Sequence, residues 1–238
     1  MPARSVRKSA GASLNRSELE LETRRRLLDS AGEAFAENGF HGTTIREICR
    51  RAGANVAAVN YHFRDKDELY QQVFENSACI AQEHFSPETR TAMAPGNPPR
   101  QRLHAFIRQF LQRMLSPGRP AWQGKLMARE MMDPTAALDH IVKTMIRPNS
   151  QLLGEIVSDI TGLPPGDPRL WLTAASIVAQ CLFYTHCKPV IIRLRPDLKY
   201  DQQMIEDLTE HITSFSWAAL AGAKQRHARS PRKKGGRP

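Results

Sequence analysis

The chain has 238 residues and little of what builds a disulfide or metal scaffold. Its four cysteines, at 49, 79, 181 and 187, form no CxxC pair, and its eight histidines do not cluster at ligand spacings. Reduced, mostly buried thiols are therefore expected, with no structural metal and no cofactor. Long apolar runs are also missing. No stretch spans a bilayer without polar interruption, and the arginine-bearing N-terminus lacks the apolar core and cleavage site of a signal peptide. A cytoplasmic protein with no membrane partner is expected. Sustained period-two alternation is absent too, which leaves an all-α chain; the one short strand candidate, 190–194 between Pro189 and Pro196, reads as a connector. His186 stands beside Cys187 without a third catalytic member or an oxyanion motif, so no enzyme and no catalytic residue are expected.

A formal charge of +10 points to nucleic acid or another anionic partner, but the excess is unevenly placed. Residues 1–16 carry four basic residues and no acid, and residues 224–238 carry seven and no acid, which leaves the body near −1. Within 17–85 there are eight basic and twelve acidic residues, yet 41–66 alone has five basic and two acidic. That near-neutral balance argues against simple polyelectrolyte binding by the body. The tails, read as flexible at 1–20 and 222–238, can add a sequence-independent, salt-sensitive increment on DNA.

The basic island coincides with TTIREICRRAGANVAAVNYHFRDK, residues 43–66. Thr44 with Glu47 has the form of a capping box, and Ile45, Ile48, Cys49 and Ala52 make one apolar face of a short helix. Gly53 supplies a turn. Asn55 is placed to cap a second helix from Val56, with Val59 and Phe63 four apart for burial. Asp65 with Glu68 opens a third, setting Lys66 in a first turn that favours phosphate. This is a helix-turn-helix over 44–63, whose second helix enters the major groove. DNA contacts are expected from Thr44, Arg46, Asn55, Val56, Ala57, Ala58, Asn60, Tyr61, His62 and Lys66. Arg46 and Asn60 are the candidates for hydrogen bonds to base edges, and the apolar residues for thymine methyls. Val56 and Ala58 as mere space-fillers is the competing reading.

These residues resemble the TetR family of bacterial repressors. AGANVAAVNYHFRDKDELY is similar to that family's helix-turn-helix, and TRRRLLDSAGEAFAENGFHGTT to its first helix. The resemblance covers roughly 21–81 and includes Phe35, Asn38-Gly39-Phe40, Thr43-Thr44, Ala52-Gly53, His62-Phe63, Lys66 and Leu69. One position departs: the family's phosphate-contacting tyrosine falls at Asn60, with aromatic character moved to Tyr61, which leaves open which of the two touches phosphate. The segments AREMMDPTAALDHIVKTMIRPN and AQCLFYTHCKPVI, together with NVAAVNYHF, are similar to the CecR branch over roughly 100–220, a branch whose C-terminal domain responds to small molecules that include antibiotics. The resemblance implies a homodimer, a palindromic double-stranded operator and an unidentified small-molecule effector, apolar or antibiotic-like.

Prolines and glycine in SPETRTAMAPGNPPR, 86–100, mark the end of the DNA-binding domain, and a ligand-binding and dimerisation domain is expected over 98–221. Leu103, Ile107, Phe110, Leu111 and Met114 make an amphipathic helix ending at Ser116-Pro117-Gly118. A helix over 122–132 follows, then one capped by Asp133-Pro134 and running to about Ile160. Residues 171–186 are apolar or small nearly all round, so one chain alone does not cover them. The last helix has Met204, Ile205, Leu208, Ile212, Phe215 and Ala219 along one stripe, with Glu206, Asp207 and Glu210 opposite. Leu172, Ile177, Leu208, Ile212 and Phe215 are the expected dimer contacts; completion of a monomeric core is the alternative. A pocket in this domain is expected from Phe110, Met114, Trp122, Arg129, Met131, Gln180 and Tyr184, although such residues also serve as core. Arg129 and Glu130 point about 100° apart, so at most one faces inward, and Arg129 has Asp133 as a candidate ion partner. The reading is a ligand-responsive dimeric repressor. A DNA-binding regulator or architectural protein without a ligand, or an all-helical enzyme or interaction protein, stays compatible with these residues.

Overall fold

The computed structural model describes residues 15–83, 87–116 and 120–229, and every regular element among them is helical. In chain order these are α1 (Arg16–Gly42), α2 (Ile45–Ala52), α3 (Val56–His62), α4 (Lys66–Glu83), α5 (Pro87–Ala92), α6 (Pro99–Leu115), α7 (Ala121–Met132), α8 (Ala137–Ile141), a π-helical turn (Val142–Ile146), α9 (Arg147–Thr161), α10 (Pro168–His186), α11 (Lys188–Leu194) and α12 (Gln202–Arg229). The chain divides into two compact units, the first ending at Phe74 and the second starting at Glu75.

In the first unit α1 starts earlier than the resemblance suggests. Asn15 accepts the Glu18 N–H at 2.9 Å and Glu18 accepts the Asn15 N–H at 2.7 Å, a reciprocal capping box. Asn-x-x-Glu at 15–18 is the signal for it. Residues 15–20 are therefore helix and its cap, not tail; the rest of that tail, 1–14, lies outside the described residues. The helix breaks at Gly39, whose φ of 76° suits only glycine. The buried Thr43 hydroxyl stitches the break, bonding to the Gly39 and Ala34 carbonyls at 2.8 and 3.1 Å. Leu27, Leu28, Phe35, Ile48, Val59, Phe63, Leu69 and Tyr70 fill the core. Phe35 and Phe40 meet Tyr70 at ring distances of 4.7 and 4.9 Å.

In the second unit α6, α9, α10 and α12 share one core, which includes Leu103, Ile107, Leu111, Leu153, Ile156, Ile177, Ile205 and Ile212. Buried Arg102 bonds the Met93 carbonyl at 3.2 Å and pairs with Asp159, while Arg108 grips Glu206 at 2.6 and 2.9 Å. That guanidinium holds the Glu206 carboxyl below its usual range. Three expectations change here. Residues 190–194 belong to a seven-residue helix, α11, because Pro189 sits in its first turn, where a missing N–H costs nothing. Residues 87–92 form a short helix within the stretch expected to be irregular. Asp133 ends α7, donating its N–H to the Arg129 carbonyl at 2.8 Å, and the expected continuous helix to Ile160 is two helices joined by the π-helical turn. Pro148, in the first turn of α9, has no N–H to continue the ordinary ladder. Likewise α12 runs on through 222–229, into what composition marked as tail; 230–238 lie outside the described residues.

Candidate nucleic-acid interface

Each joint of the helix-turn-helix has a local cause. Thr44 accepts the Glu47 N–H at 3.2 Å, but the Glu47 carboxylate does not return to close a capping box; it binds Arg51 at 2.6 Å. Gly53 ends α2 in the left-handed region at φ 61°. Asn55 caps α3 by accepting the Ala58 N–H at 2.8 Å, and Asp65 accepts the Glu68 N–H at 2.8 Å ahead of α4. Val59 and Phe63 anchor α3 from beneath.

What α3 shows to solvent follows from that anchoring. At about 100° per residue, Val56, Asn60, Ala57 and Tyr61 occupy one arc of about 140°. All four are exposed, Val56 at 43% and Tyr61 at 70%. Val56 is thus no core filler. Ala58 and His62 are half-buried beside the arc and line a cleft of about 470 Å³ with Leu19, Thr23 and Tyr61. His62 is held below its usual pKa by burial and by Arg24.

The cations sort by their partners. Arg51 is held by Glu37 and Glu47, and Arg64 by Glu68. Arg46 and Arg50 are exposed on α2 and have no partner among the described residues. Lys66 stands with its ammonium 4.4 Å from the Phe40 ring centroid, half-buried, and desolvation lowers its pKa. Sequence reasoning passed over Arg50, the second exposed arginine of the same short helix.

In the second unit the expected dimer residues separate into two groups. Leu172 and Phe215 are exposed at 57% and 62%, whereas Ile177, Leu208 and Ile212 are packed into this chain's own core, which corrects their placement on a dimer surface. On α10 the exposed stripe is Leu172, Ala175, Ala179 and Phe183; on α12 it is His211, Phe215 and Ala218. Small residues at spacings of three and four are the signal that marks this face. The seven expected pocket residues do not gather around either of two open surface clefts. One is the α1–α3 cleft above, and the other is lined by Glu88, Thr91, Ala92, Asn97 and Gln101. Phe110 and Tyr184 pack against the core, Met131 is exposed, and Met114, Trp122, Arg129 and Gln180 are half-buried. Gln180 donates to Ser216 at 3.4 Å. Of the adjacent pair on α7, Glu130 is the inward one, fully buried and accepting from the Thr135 N–H and hydroxyl at 2.8 and 3.0 Å. No Arg129–Asp133 ion pair forms among the described residues.

Two family models match this chain: residues 99–220 match the C-terminal domain of the HTH-type transcriptional dual regulator CecR, and residues 27–73 match the bacterial regulatory proteins of the tetR family. The HTH-type transcriptional dual regulator CecR of Shigella flexneri is 26% identical over 211 residues, covering 86% of this chain and 94% of that protein. A TetR-like transcriptional regulator from Rhodococcus sp. RHA1 has the same fold, with a TM-score of 0.62 at 18% identity over 88% of this chain and 100% of that one. AibR, solved in complex with isovaleryl coenzyme A and operator DNA, gives a TM-score of 0.59 at 16% identity over 81% of this chain and 97% of its own. With a capped helix-turn-helix ahead of a helical C-terminal unit, the chain belongs to the TetR family of transcriptional regulators and carries a C-terminal domain of the CecR type.

Proposed function

We propose that this protein is a cytoplasmic homodimeric repressor that binds a palindromic operator and is released by a small molecule. The observation that carries the reading is the presence, in one chain, of an exposed recognition face on α3 and an uncovered apolar stripe on two long helices, α10 and α12. A dimer closed through those helices places two recognition helices on half-sites one helical turn apart. The effector binds within the second unit, with Phe110, Met114, Trp122, Arg129, Gln180 and Tyr184 as candidate contacts that its binding draws together. Gln123 and Glu130, seven residues apart on one face of α7, are both buried, with Glu130 held by Thr135.

Coupling runs along α4. Its Glu75 carboxylate lies 2.6 Å from His140 Nε2, at the end of α8 and next to the π-helical turn, an irregularity common at functional sites. An effector that repacks α7 to α9 acts on α4 through this hydrogen bond. It shifts the equilibrium only by its differential affinity for two dimer states, typically about 1 to 3 kcal/mol, or about 5- to 150-fold in operator binding.

Footprinting on the DNA upstream of the coding gene, at moderate salt with competitor DNA, tests the reading. A protected palindrome is expected; protection smeared along the fragment contradicts it. Two substitutions separate the roles of the cations. Arg46→Ala is expected to weaken specific operator binding by about 1 to 3 kcal/mol with the dimer intact, read by fluorescence anisotropy, and unchanged affinity removes Arg46 from the reading set. Lys66→Ala is expected to weaken all duplexes alike and to make the salt dependence shallower, by about one in slope for each phosphate that the ammonium neutralises. A sequence-selective weakening contradicts that role.

A further inference from the structure

We infer that the bases read by α3 are A·T pairs, with thymine methyl groups against Val56 and Ala57 and an adenine edge against Asn60. This rests on the DNA-binding reading above and names what that surface selects. The whole of α3, Val56–His62, contains no Arg, Lys, Asp or Glu. Its exposed arc offers two aliphatic groups, one amide and one phenol: Val56, Ala57, Asn60 and Tyr61. His62 lies beside the arc, half-buried, with burial and Arg24 disfavouring its charged form.

Major-groove chemistry turns this inventory into a preference. Guanine is read by a bidentate Arg or Lys on O6 and N7, and cytosine by an acidic acceptor on its amino group; α3 has none of these. Adenine presents an acceptor and a donor side by side, which match the two ends of an asparagine amide, and the thymine C5 methyl is the one apolar feature of the groove. Asn60 and Ala57 stand near the middle of the arc, at about 40° and 100° from Val56, so the amide and a methyl face the base edges together. Neither is engaged elsewhere through its side chain among the described residues. Guanine readout is left to the flank reached by Arg46, on α2.

The test uses the full-length protein and a pool of random duplexes. Sequences retained by the wild type are compared with those retained by Asn60→Ala, and the positions at which base preference relaxes mark the base pairs under α3. Those positions are expected to be A·T. Deoxyuridine in place of each thymine at those positions removes only the methyl group and is expected to weaken binding about fourfold per methyl. Asn60→Arg, at an exposed site, is expected to move the preferred pair there to G·C. Enrichment of G·C by the wild type at those positions, or indifference to deoxyuridine, overturns the inference and leaves sequence-specific binding standing. If the folded wild type enriches no sequence, the DNA-reading function itself falls, and the inference with it.

Discussion

Phe215→Asp is expected to give a folded monomer that no longer binds its operator tightly. Phe215 is 62% exposed on α12, its ring stacked at 6.3 Å on His211, and the chain's own core lies behind it in Leu208 and Ile212. Replacing an exposed side chain costs the monomer little, within about 0.5 kcal/mol. In a dimer closed through α10 and α12 the same change buries two carboxylates near the twofold axis, each with a desolvation penalty of several kcal/mol. A penalty of even about 3 kcal/mol in total raises the dimer dissociation constant more than about 100-fold. Operator binding falls with it, since a monomer engages one half-site. Sedimentation velocity reads the first effect and anisotropy on operator DNA the second, with circular dichroism to show retained helix. A variant that stays dimeric places the interface elsewhere.

Phe35→Ala is expected to have the largest effect on stability, a decrease of about 3 to 5 kcal/mol in the DNA-reading unit. Phe35 is fully buried, its ring edge-on to Tyr70 at 4.7 Å and stacked on Phe40 at 6.0 Å. Removing it takes away the transfer energy of the ring and leaves a cavity among aromatic neighbours that cannot collapse freely. Against a total stability of about 5 to 15 kcal/mol, that is a large share. Chemical denaturation is expected to show a lower midpoint with an unchanged slope, and DNA binding to fail at a lower temperature. A midpoint within error of the wild type contradicts the assignment of Phe35 to the centre of this core.

The parts of the molecule legible in the sequence are those fixed by local chemistry. The caps at Thr44, Asn55 and Asp65 and the left-handed turn at Gly53 depend on a few neighbouring residues, and each side chain caps as read, although the Glu47 carboxylate goes to Arg51 and leaves the box at Thr44 half made. Burial of Leu103, Ile107 and Leu111 followed from helical period alone. What the pattern hid depends on partners distant in sequence. Ile177 and Ile212 are hydrophobic in the same way as Leu172 and Phe215, and only packing against the rest of the core shows which pair is enclosed. The sequence leaves either Arg129 or Glu130 free to face inward, and the Thr135 N–H and hydroxyl are what hold Glu130 inside. Asp133 and Pro134, read as the cap and first-turn proline of one long helix, instead end α7 and lie in the link before α8, and the π-helical turn ahead of α9 is announced by no simple period.

The central claim, a dimer that reads two half-sites and lets go when an effector binds, is tested most directly by measuring the mass of the protein–operator complex in sedimentation equilibrium on a single footprinted palindrome. Two protomers per duplex, or a whole number of dimers, with dissociation on titration of an effector drawn from the antibiotic-like class, is the result expected. One protomer per duplex, or a mass that rises steadily with protein added and with the length of DNA, contradicts it.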